Sequence, residues 1–377
     1  MKVIIVGPAF PLRGGIADFN EALAKAFVEQ NIEAKIYSFY YQYPQFLFPG
    51  TSQKTEGERT DLPISPTISS VNPFSWRTTA RKIIAERPSL VIIRYWLPFM
   101  APALGTIAKI LRRRKIKVIA ITDNIFPHEK RIGDKILTSY FIKNCDAFVA
   151  MSKSVLNDLS FFTNSNHKKF LPHPIYNIFG SPISKEVARE KLKIQSNDKV
   201  ILFFGFIRAY KGLDLLIEAM GKPEIQKLNV KLLIAGEFYE DSKLYLEKIK
   251  SIDKGDRFIL HTHYIGKEEV KNYFCASDLI VQPYKHATQS GITQIAYHFG
   301  RPMLVTDVGG LSEIVAHERV GYVVEKKSEA IANAISDFYL HQRESEFSRN
   351  VLIDSHKFSW KNFINGILQL NQEIEQR

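Results

Sequence analysis

An arginine and a lysine follow an apolar run in the middle of the chain, and their spacing suits the binding of an anion. The run ILFF at 201–204 breaks at Gly205, and Arg208 and Lys211 follow within six residues. Two cations in a short turn can hold a diphosphate through charge-assisted hydrogen bonds. The alternative is an ordinary loop whose Arg and Lys are simply solvated.

The elements on either side place this turn where α/β proteins bind ligands. Val200 to Phe204 is predicted as a buried strand, and a helix with Leu213, Leu216 and Ile217 on one side begins near Gly212. In an open parallel sheet, ligands bind beyond the carboxyl ends of the strands, where the amides of the next helix also face an anion. The sequence therefore predicts an anion site here.

Two loops nearer the N-terminus carry further candidate groups. Gly14 and Gly15 stand between the first predicted strand and a helix over 16–30, so a ligand can approach their backbone closely; the alternative is a tight turn. The loop DNIFPHEKR at 123–131 follows another predicted strand and is dense in polar groups. A lone histidine is more often structural than catalytic, but this density favours a site that includes His128 and Asp123.

The alternation of strands and helices indicates two α/β domains. At 377 residues the chain exceeds one ordinary core. The predicted strands are 2–6, 34–39, 90–93, 117–122 and 147–151 in the first half, and 200–204, 230–235, 257–260, 279–282, 303–306 and 322–324 in the second. Such alternation predicts two mostly parallel sheets covered on both faces. The segment at 170–182, with three prolines, is predicted to link domains at 1–175 and 183–357.

Basic residues are concentrated in the first half. Residues 1–180 contain 24 Lys and Arg against 13 Asp and Glu, whereas residues 181–377 contain 27 against 26. No helix-turn-helix spacing, zinc-ligand pattern or RNA-binding aromatic signature is present, so an anionic membrane or a phosphate-bearing acceptor is favoured over nucleic acid. The uncharged segment YYQYPQFLFPG at 40–50 is either an exposed apolar patch or folds back onto the core.

The remaining composition favours the cytoplasm. Cys145 and Cys275 fall one in each half and make no disulfide framework. The N-terminal apolar run is too short for a cleaved signal peptide, and no stretch is long and apolar enough to span a bilayer. No metal-ligand cluster is recognisable.

Several motifs follow the cationic turn in a fixed order. They are LLIAGE at 232–237, ASDLIVQP at 276–283, QSGITQIAYHFGRP at 289–302 and TDVGGLSE at 306–313. This order resembles the C-terminal domain of the retaining nucleotide-sugar glycosyltransferases of glycosyltransferase family four. The Gly14–Gly15 loop and the loop with Pro127, His128 and Glu129 resemble the N-domain loops of that family.

The resemblance implies the GT-B fold. That fold has two Rossmann-like, doubly wound parallel-sheet domains facing a central cleft, here an acceptor domain at 1–175 and a donor domain at 183–357. A helix within 358–377 is expected to cross back to the N-domain.

Roles for individual residues follow from the same resemblance. Arg208 and Lys211 correspond to the clamp on the donor diphosphate, although Arg208 lies three residues after Gly205 instead of directly after it. Asp123 or His128 is expected to face the reacting sugar. The expected donor-binding residues are Gly14, Gly15, Gly205, Gln289, Ser290, Gly291, Gln294 and Glu313.

Two departures from the family pattern stand out. The family's Glu-x7-Glu signature would place glutamates near Ala287 and Ile295, and the chain has neither. A divergent subgroup is therefore expected, in which Gln289, Ser290, Gly291 and Gln294 supply the contacts. Asp123 also stands where many relatives carry histidine.

The implied activity is transfer of a sugar from a nucleotide sugar to a glycan or lipid-linked acceptor with retention of configuration, in bacterial surface polysaccharide synthesis at the inner face of the plasma membrane. No metal and no cofactor beyond the nucleotide-sugar substrate are expected. Two alternatives stay open: a GT-B-fold sugar-nucleotide epimerase and a non-catalytic nucleotide-sugar binding protein. A dinucleotide dehydrogenase is disfavoured, because no complete G-x-G-x-x-G follows the first strand.

Overall fold

The computed structural model describes residues 1–44, 61–126, 131–175, 178–253, 255–287 and 290–376. The chain forms two compact units, Met1–His173 together with Trp360–Arg377, and Pro174–Ser359. Most of the predicted linker thus belongs to the second unit, where the Ile175 amide donates a hydrogen bond to the Phe358 carbonyl at 2.9 Å.

A parallel sheet of seven strands, in the order β3-β2-β1-β4-β5-β6-β7, organises the N-terminal unit. Its strands are β1 (Lys2–Val6), β2 (Glu33–Tyr41), β3 (Ile64–Ser69), β4 (Leu90–Tyr95), β5 (Val118–Thr122), β6 (Ala147–Ala150) and β7 (Lys168–Phe170). Its first helices are α1 (Gly15–Glu29), α2 (Pro73–Ala85), α3 (Ala101–Arg113), α4 (Asp134–Ile142) and α5 (Lys153–Leu159). Every residue of β4 and β5 is buried, as expected of strands covered on both faces.

The C-terminal unit has a parallel sheet of six strands in the order β10-β9-β8-β11-β12-β13. Its strands are β8 (Lys199–Phe204), β9 (Val230–Ala235), β10 (Phe258–His261), β11 (Leu279–Gln282), β12 (Met303–Thr306) and β13 (Gly321–Val324). Its helices are α6 (Lys185–Lys191), α7 (Leu213–Met220), α8 (Pro223–Leu228), α9 (Lys243–Ile252), α10 (Val270–Ala276), α11 (Gly291–His298), α12 (Leu311–Ile314), α13 (Ser328–Leu340) and α14 (Glu344–Ser355).

The last helix, α15 (Trp360–Glu375), belongs to the N-terminal unit and packs on α1. The Phe19 ring of α1 lies 5.1 Å from the Trp360 ring and 5.7 Å from the Phe363 ring. A Cβ at Gly366 would stand 2.4 Å from the Leu171 side chain, so glycine permits this close approach.

The predicted α/β alternation is confirmed, and the predicted strands occur within two residues of their expected ends. Two strands were missed, β3 and β7. The sequence of β3 is ISPTIS, and β7 is a KKF tripeptide, so neither has the apolar run of a buried strand. Both lie at edges of the sheet, where a proline such as Pro66 and charged residues are tolerated.

The aromatic segment at 40–50 is described only as far as Pro44. Tyr40 and Tyr41 are exposed, whereas Tyr43 folds back and its hydroxyl accepts a hydrogen bond from Trp96 Nε1 at 2.6 Å. Phe46, Leu47 and Phe48 lie outside the described residues. No helix in the described part of the chain combines the length and apolarity needed to cross a bilayer.

Candidate active site

The cationic turn after β8 depends on two glycines in left-handed conformations. Gly205 has a φ of +94°, and a Cβ there would stand 2.9 Å from the Lys211 ammonium nitrogen. Gly212 has a φ of +69°, and a Cβ there would meet the Pro283 carbonyl oxygen at 2.0 Å. Side chains at these positions would clash, so glycine makes room for the lysine and lets the turn approach the end of β11.

Main-chain hydrogen bonds fix the same turn to the loop after β9. The Gly205 amide donates to the Ala235 carbonyl at 2.9 Å, and the Ile207 amide donates to the Glu237 carbonyl at 2.8 Å. A short 3₁₀ turn at Ala209–Lys211 then leads into α7. The turn therefore lies at the carboxyl edge of the sheet, as predicted.

Lys211 is almost fully buried, with 8% of its surface exposed. Burial, and next the charge of Arg208, lower the pKa of its ammonium to about 8. No carboxylate in the described part of the chain pairs with it. An unpaired buried cation is costly to folding, so its presence in a cavity points to a functional anion.

Arg208 is partly exposed beside this lysine. Its guanidinium lies 4.9 Å from the centre of the Tyr239 ring, a cation–π distance that orients it. It does not line the cavity that contains Lys211. Arg208 thus lies near Lys211 but outside the lining of the cavity.

A cavity of about 220 Å³ opens at the ends of β8 and β9. Its walls are formed by Phe204, Gly205, Phe206, Lys211, Gly236, Glu237, Tyr264, Ile265 and Ile292. The rings of Phe206 and Tyr264 are partly exposed with centroids 6.5 Å apart. The cavity thus has one ammonium, Lys211, and one carboxylate, Glu237, among walls that are otherwise glycine, apolar or aromatic. Such walls suit a ligand with an anionic group near the lysine and a flat or apolar part.

The start of α11 reaches the same cavity through Ile292. The Ser290 hydroxyl caps this helix by accepting from the Ile292 amide at 3.2 Å, and it lies 3.4 Å from the Tyr284 hydroxyl. Gly291 is the first residue of the helix and is exposed. Gln294 is fully buried, and neither its amide oxygen nor its amide nitrogen has a partner among the described residues.

Other predicted donor-binding residues are placed differently. Glu313 is exposed on α12, after the Gly309–Gly310 turn, and does not line the cavity. Gln289 lies outside the described residues. In the N-terminal unit, Gly14 caps α1 with a φ of +118°, and a Cβ at Gly14 or Gly15 would meet no atom within 4 Å. The backbone at the start of α1 is therefore open to a ligand.

Asp123 is engaged in a buried ion pair. Arg94 Nε and Nη2 donate to its two carboxylate oxygens at 2.7 and 2.5 Å, and both residues are at most 5% exposed. The Arg94 guanidinium also lies 3.9 Å from the centre of the Phe19 ring. The Asp123 carboxylate is therefore paired inside the N-terminal unit, just after the end of β5. His128 lies outside the described residues.

Sequence reasoning missed Arg94 and the aromatic lining of the cavity. Arg94 is the one charged residue in the strand LVIIRY, and a charge in a fully buried strand requires a partner. That signal could have identified Arg94. Phe206 and Tyr264 carried no such signal, because their sequence neighbours are loop residues.

Comparisons with known proteins agree with the two-unit organisation. The sequence model described as Glycosyltransferase Family 4 matches residues 13–168, and the one described as Glycosyl transferases group 1 matches residues 198–341. An uncharacterized glycosyltransferase of Methanocaldococcus jannaschii is 29% identical over 180 residues, which are 46% of this chain and 45% of that protein. A second uncharacterized glycosyltransferase of that organism is 23% identical over 389 residues. This match covers 99% of this chain and 99% of that protein.

A solved structure matches over the whole chain. The Anabaena protein HepE in complex with UDP-glucose has a TM-score of 0.69 and 16% identity, with 100% of this chain and 98% of that chain covered. Together with the two parallel sheets, this likeness defines the GT-B fold. The chain belongs to glycosyltransferase family four, as the order of its motifs predicted. It lacks the Glu-x7-Glu pair, with Ala287 and Ile295 at those positions.

Proposed function

We propose that the protein transfers a sugar from a nucleotide sugar to a glycan or lipid-linked acceptor with retention of configuration. The main support for this proposal is the burial of Lys211 without a carboxylate partner among the described residues. Its buried ammonium lies in a cavity at the carboxyl edge of the sheet and has no carboxylate partner in the described part of the chain. A donor diphosphate would supply the missing negative charge.

Charge development on the leaving group explains the need for these cations. When the bond between the sugar's anomeric carbon and the phosphate oxygen breaks, the electron pair stays on the nucleoside diphosphate. Lys211 and Arg208 would stabilise that charge, and amides at the start of α11 would add to their effect. The acceptor hydroxyl attacks the anomeric carbon from the same face and gives its proton to the departing phosphate.

A uridine nucleotide is the first donor to test. The structure of Anabaena HepE contains UDP-glucose, and that protein shares the fold of this chain. The partly exposed rings of Phe206 and Tyr264 at the cavity would suit the flat face of a base. Screening UDP-, GDP-, ADP- and dTDP-sugars for thermal stabilisation would identify the donor, because a bound ligand stabilises the folded state by mass action.

The proposed setting is surface polysaccharide synthesis in the cytoplasm, at the inner face of the plasma membrane. The excess of basic residues in the first half of the chain supports this setting, since anionic lipids attract such a surface. An acceptor that carries a lipid phosphate would be presented there.

The missing glutamate pair favours one competing function, a non-catalytic nucleotide-sugar binding protein. Donor hydrolysis, even when slow, would argue against it. A sugar-nucleotide epimerase would convert its donor without acceptor, whereas a transferase releases free nucleotide in proportion to added acceptor. Measuring both nucleotide release and conversion of the donor, with and without acceptor, separates the three functions.

Replacing Lys211 tests the site itself. We expect Lys211→Ala to lower turnover about 10²- to 10³-fold, because one donor to the developing charge is lost. Lys250→Ala, an exposed lysine of α9, is the matched control and should keep wild-type turnover. Near-normal turnover of the Lys211 variant would reject the assignment.

A further inference from the structure

One stretch of the N-terminal unit is almost without acidic residues. Residues 62–122 contain eleven Lys and Arg but a single acid, Glu86. Glu86 is already engaged, because its carboxylate pairs with Lys2 and Lys35 at 2.9 and 2.6 Å. The stretch contains α2 and α3, and the proposed sugar transfer uses none of their exposed cations.

Three of the eleven cations have partners within the unit. Arg94 pairs with Asp123, Arg112 pairs with Asp146 at 2.7 Å, and Lys117 donates to the Ile374 carbonyl at 2.7 Å. The other eight are exposed and form no ion pair within the described residues; they are Arg77, Arg81, Lys82, Arg87, Lys109, Arg113, Arg114 and Lys115. We call these eight residues the α2–α3 basic face.

The fold places the helical members of this face on one side of the sheet, and Arg87, Arg114 and Lys115 lie in the turns that follow the two helices. α2 leads into β4 and α3 leads from β4 into β5, and right-handed crossovers in the same direction put both helices on the same face. The two helices pack against each other, and α3 also packs against α4. In α2, Ser75, Thr79, Ala80 and Ile83 are buried, so Arg77 and Arg81 point outward.

Large apolar side chains are exposed at the ends of this helix layer. Phe74, at the start of α2, is 75% exposed, and Val71 just before it is 54% exposed. Ile136 of α4, on the other side of α3, is 75% exposed. Cations alone would suit any polyanion, but the aliphatic side chains of Val71 and Ile136 gain only from an apolar phase.

We propose that the α2–α3 basic face docks the protein onto an anionic lipid bilayer. The cations would meet lipid phosphates, and Phe74 with Val71 would enter the boundary between headgroups and acyl chains. Docking would give the protein access to a lipid-linked acceptor, and this benefit rests on the proposed function. The docking itself does not depend on that function. Each cation near an anionic bilayer contributes about fivefold in affinity.

Vesicle sedimentation of the full chain tests this surface. The vesicles are phosphatidylcholine with roughly one-third phosphatidylglycerol, and pure phosphatidylcholine is the reference. The test variant carries Arg77→Gln, Arg81→Gln, Lys109→Gln and Arg113→Gln. The matched control removes four exposed lysines of the C-terminal unit that form no ion pair among the described residues: Lys191→Gln, Lys227→Gln, Lys243→Gln and Lys250→Gln.

We expect the test variant to bind anionic vesicles more than about 50-fold more weakly than wild type, and the control to change less than about threefold. Phe74→Ser should weaken the binding that persists at high salt, where electrostatic attraction is screened. Circular dichroism of each variant shows whether the fold is kept.

Equal binding by wild type and the test variant would overturn the proposal. So would binding of single-stranded RNA by the same face with no affinity for anionic vesicles. Because sedimentation needs no donor, a protein that binds vesicles but transfers no sugar would reject the proposed function and leave the docking surface intact.

Discussion

At the scale of single residues, Lys211 and Asp123 show two ways of burying a charge. Asp123 is neutralised by Arg94 through two hydrogen bonds, so the two opposite charges are paired inside the unit. Among the described residues, Lys211 has the face of the Tyr284 ring, 5.6 Å away, and the like charge of Arg208 nearby, but no carboxylate partner. The first arrangement holds strand ends together, whereas the second leaves a cation that a ligand would satisfy.

The lowered pKa of Lys211 makes a prediction about stability. In the folded protein this pKa is about 8 instead of 10.5, so the unfolded chain binds the proton more tightly. Protonated Lys211 therefore destabilises the fold below pH 8 by up to about 3 kcal/mol, and the penalty disappears as pH rises from about 8 to 10.5. We expect Lys211→Met to raise the free energy of unfolding at pH 7 and to lose this advantage at pH 10.5.

Urea denaturation of the ligand-free protein at the two pH values measures this difference. Lys250→Met, at an exposed site, should change little at either pH. A Lys211→Met variant that is less stable than wild type at pH 7 would contradict the unpaired burial of the ammonium.

At the scale of secondary-structure elements, the candidate site depends on the turn that follows the carboxyl end of a strand. The turn from β8 to α7 is tight because Gly205 and Gly212 adopt left-handed conformations, and its amides join the loop after β9. At the start of α11, the Ser290 hydroxyl caps the helix by accepting from the Ile292 amide, and Ile292 lines the cavity. Loops at one sheet edge therefore assemble the site, while the strands keep them in register.

Gly212 gives a test of this turn. In Gly212→Ala, the new Cβ would overlap the Pro283 carbonyl oxygen and would also require a φ of +69°. We expect a loss of stability above about 1 kcal/mol and a loss of turnover, because Lys211 would move. Gly266→Ala is the control for stability, since its nearest atom would be 3.5 Å away. Unchanged thermal unfolding and turnover of the Gly212 variant would show that the turn tolerates displacement.

At the scale of the whole molecule, one unit is continuous in sequence and the other is not. The C-terminal unit is a single segment, Pro174–Ser359, that contains the whole described cavity. The N-terminal unit is completed by α15, whose Trp360 and Phe363 pack on Phe19. The chain must therefore return to its first unit after making the second.

Fragments of the chain test this organisation. We expect residues 174–359 to fold alone and to bind the donor identified for the full protein, because its core and cavity are internal. Residues 1–173 should be unstable without α15, since large aromatic groups would be exposed. Calorimetry of both fragments measures their thermal unfolding. Residues 1–173 covalently linked to α15 serve as the control for the N-terminal fragment. A cooperative, wild-type-like transition of residues 1–173 alone would contradict it.

Much of the fold was predictable from sequence because periodicity along a segment reports burial. Runs such as VILFF and LLIA are apolar at every position, which is typical of a short strand covered on both faces, and they predicted the bounds of β8 and β9 closely. The same information was absent from β3 and β7, which are edge strands without an apolar run. The order of the motifs was sufficient for the family.

The environment of each site residue depended on the tertiary structure. Sequence showed that Arg208 and Lys211 share a turn, but only packing buried Lys211 and left Arg208 partly exposed. Sequence also gave Asp123 as one of two groups expected to face the reacting sugar, but it did not show that Arg94, 29 residues earlier, pairs with it across neighbouring strands. Burial and pairing across a sheet arise from strand order and register, which bring distant residues together, and spacing along one segment contains no record of such contacts.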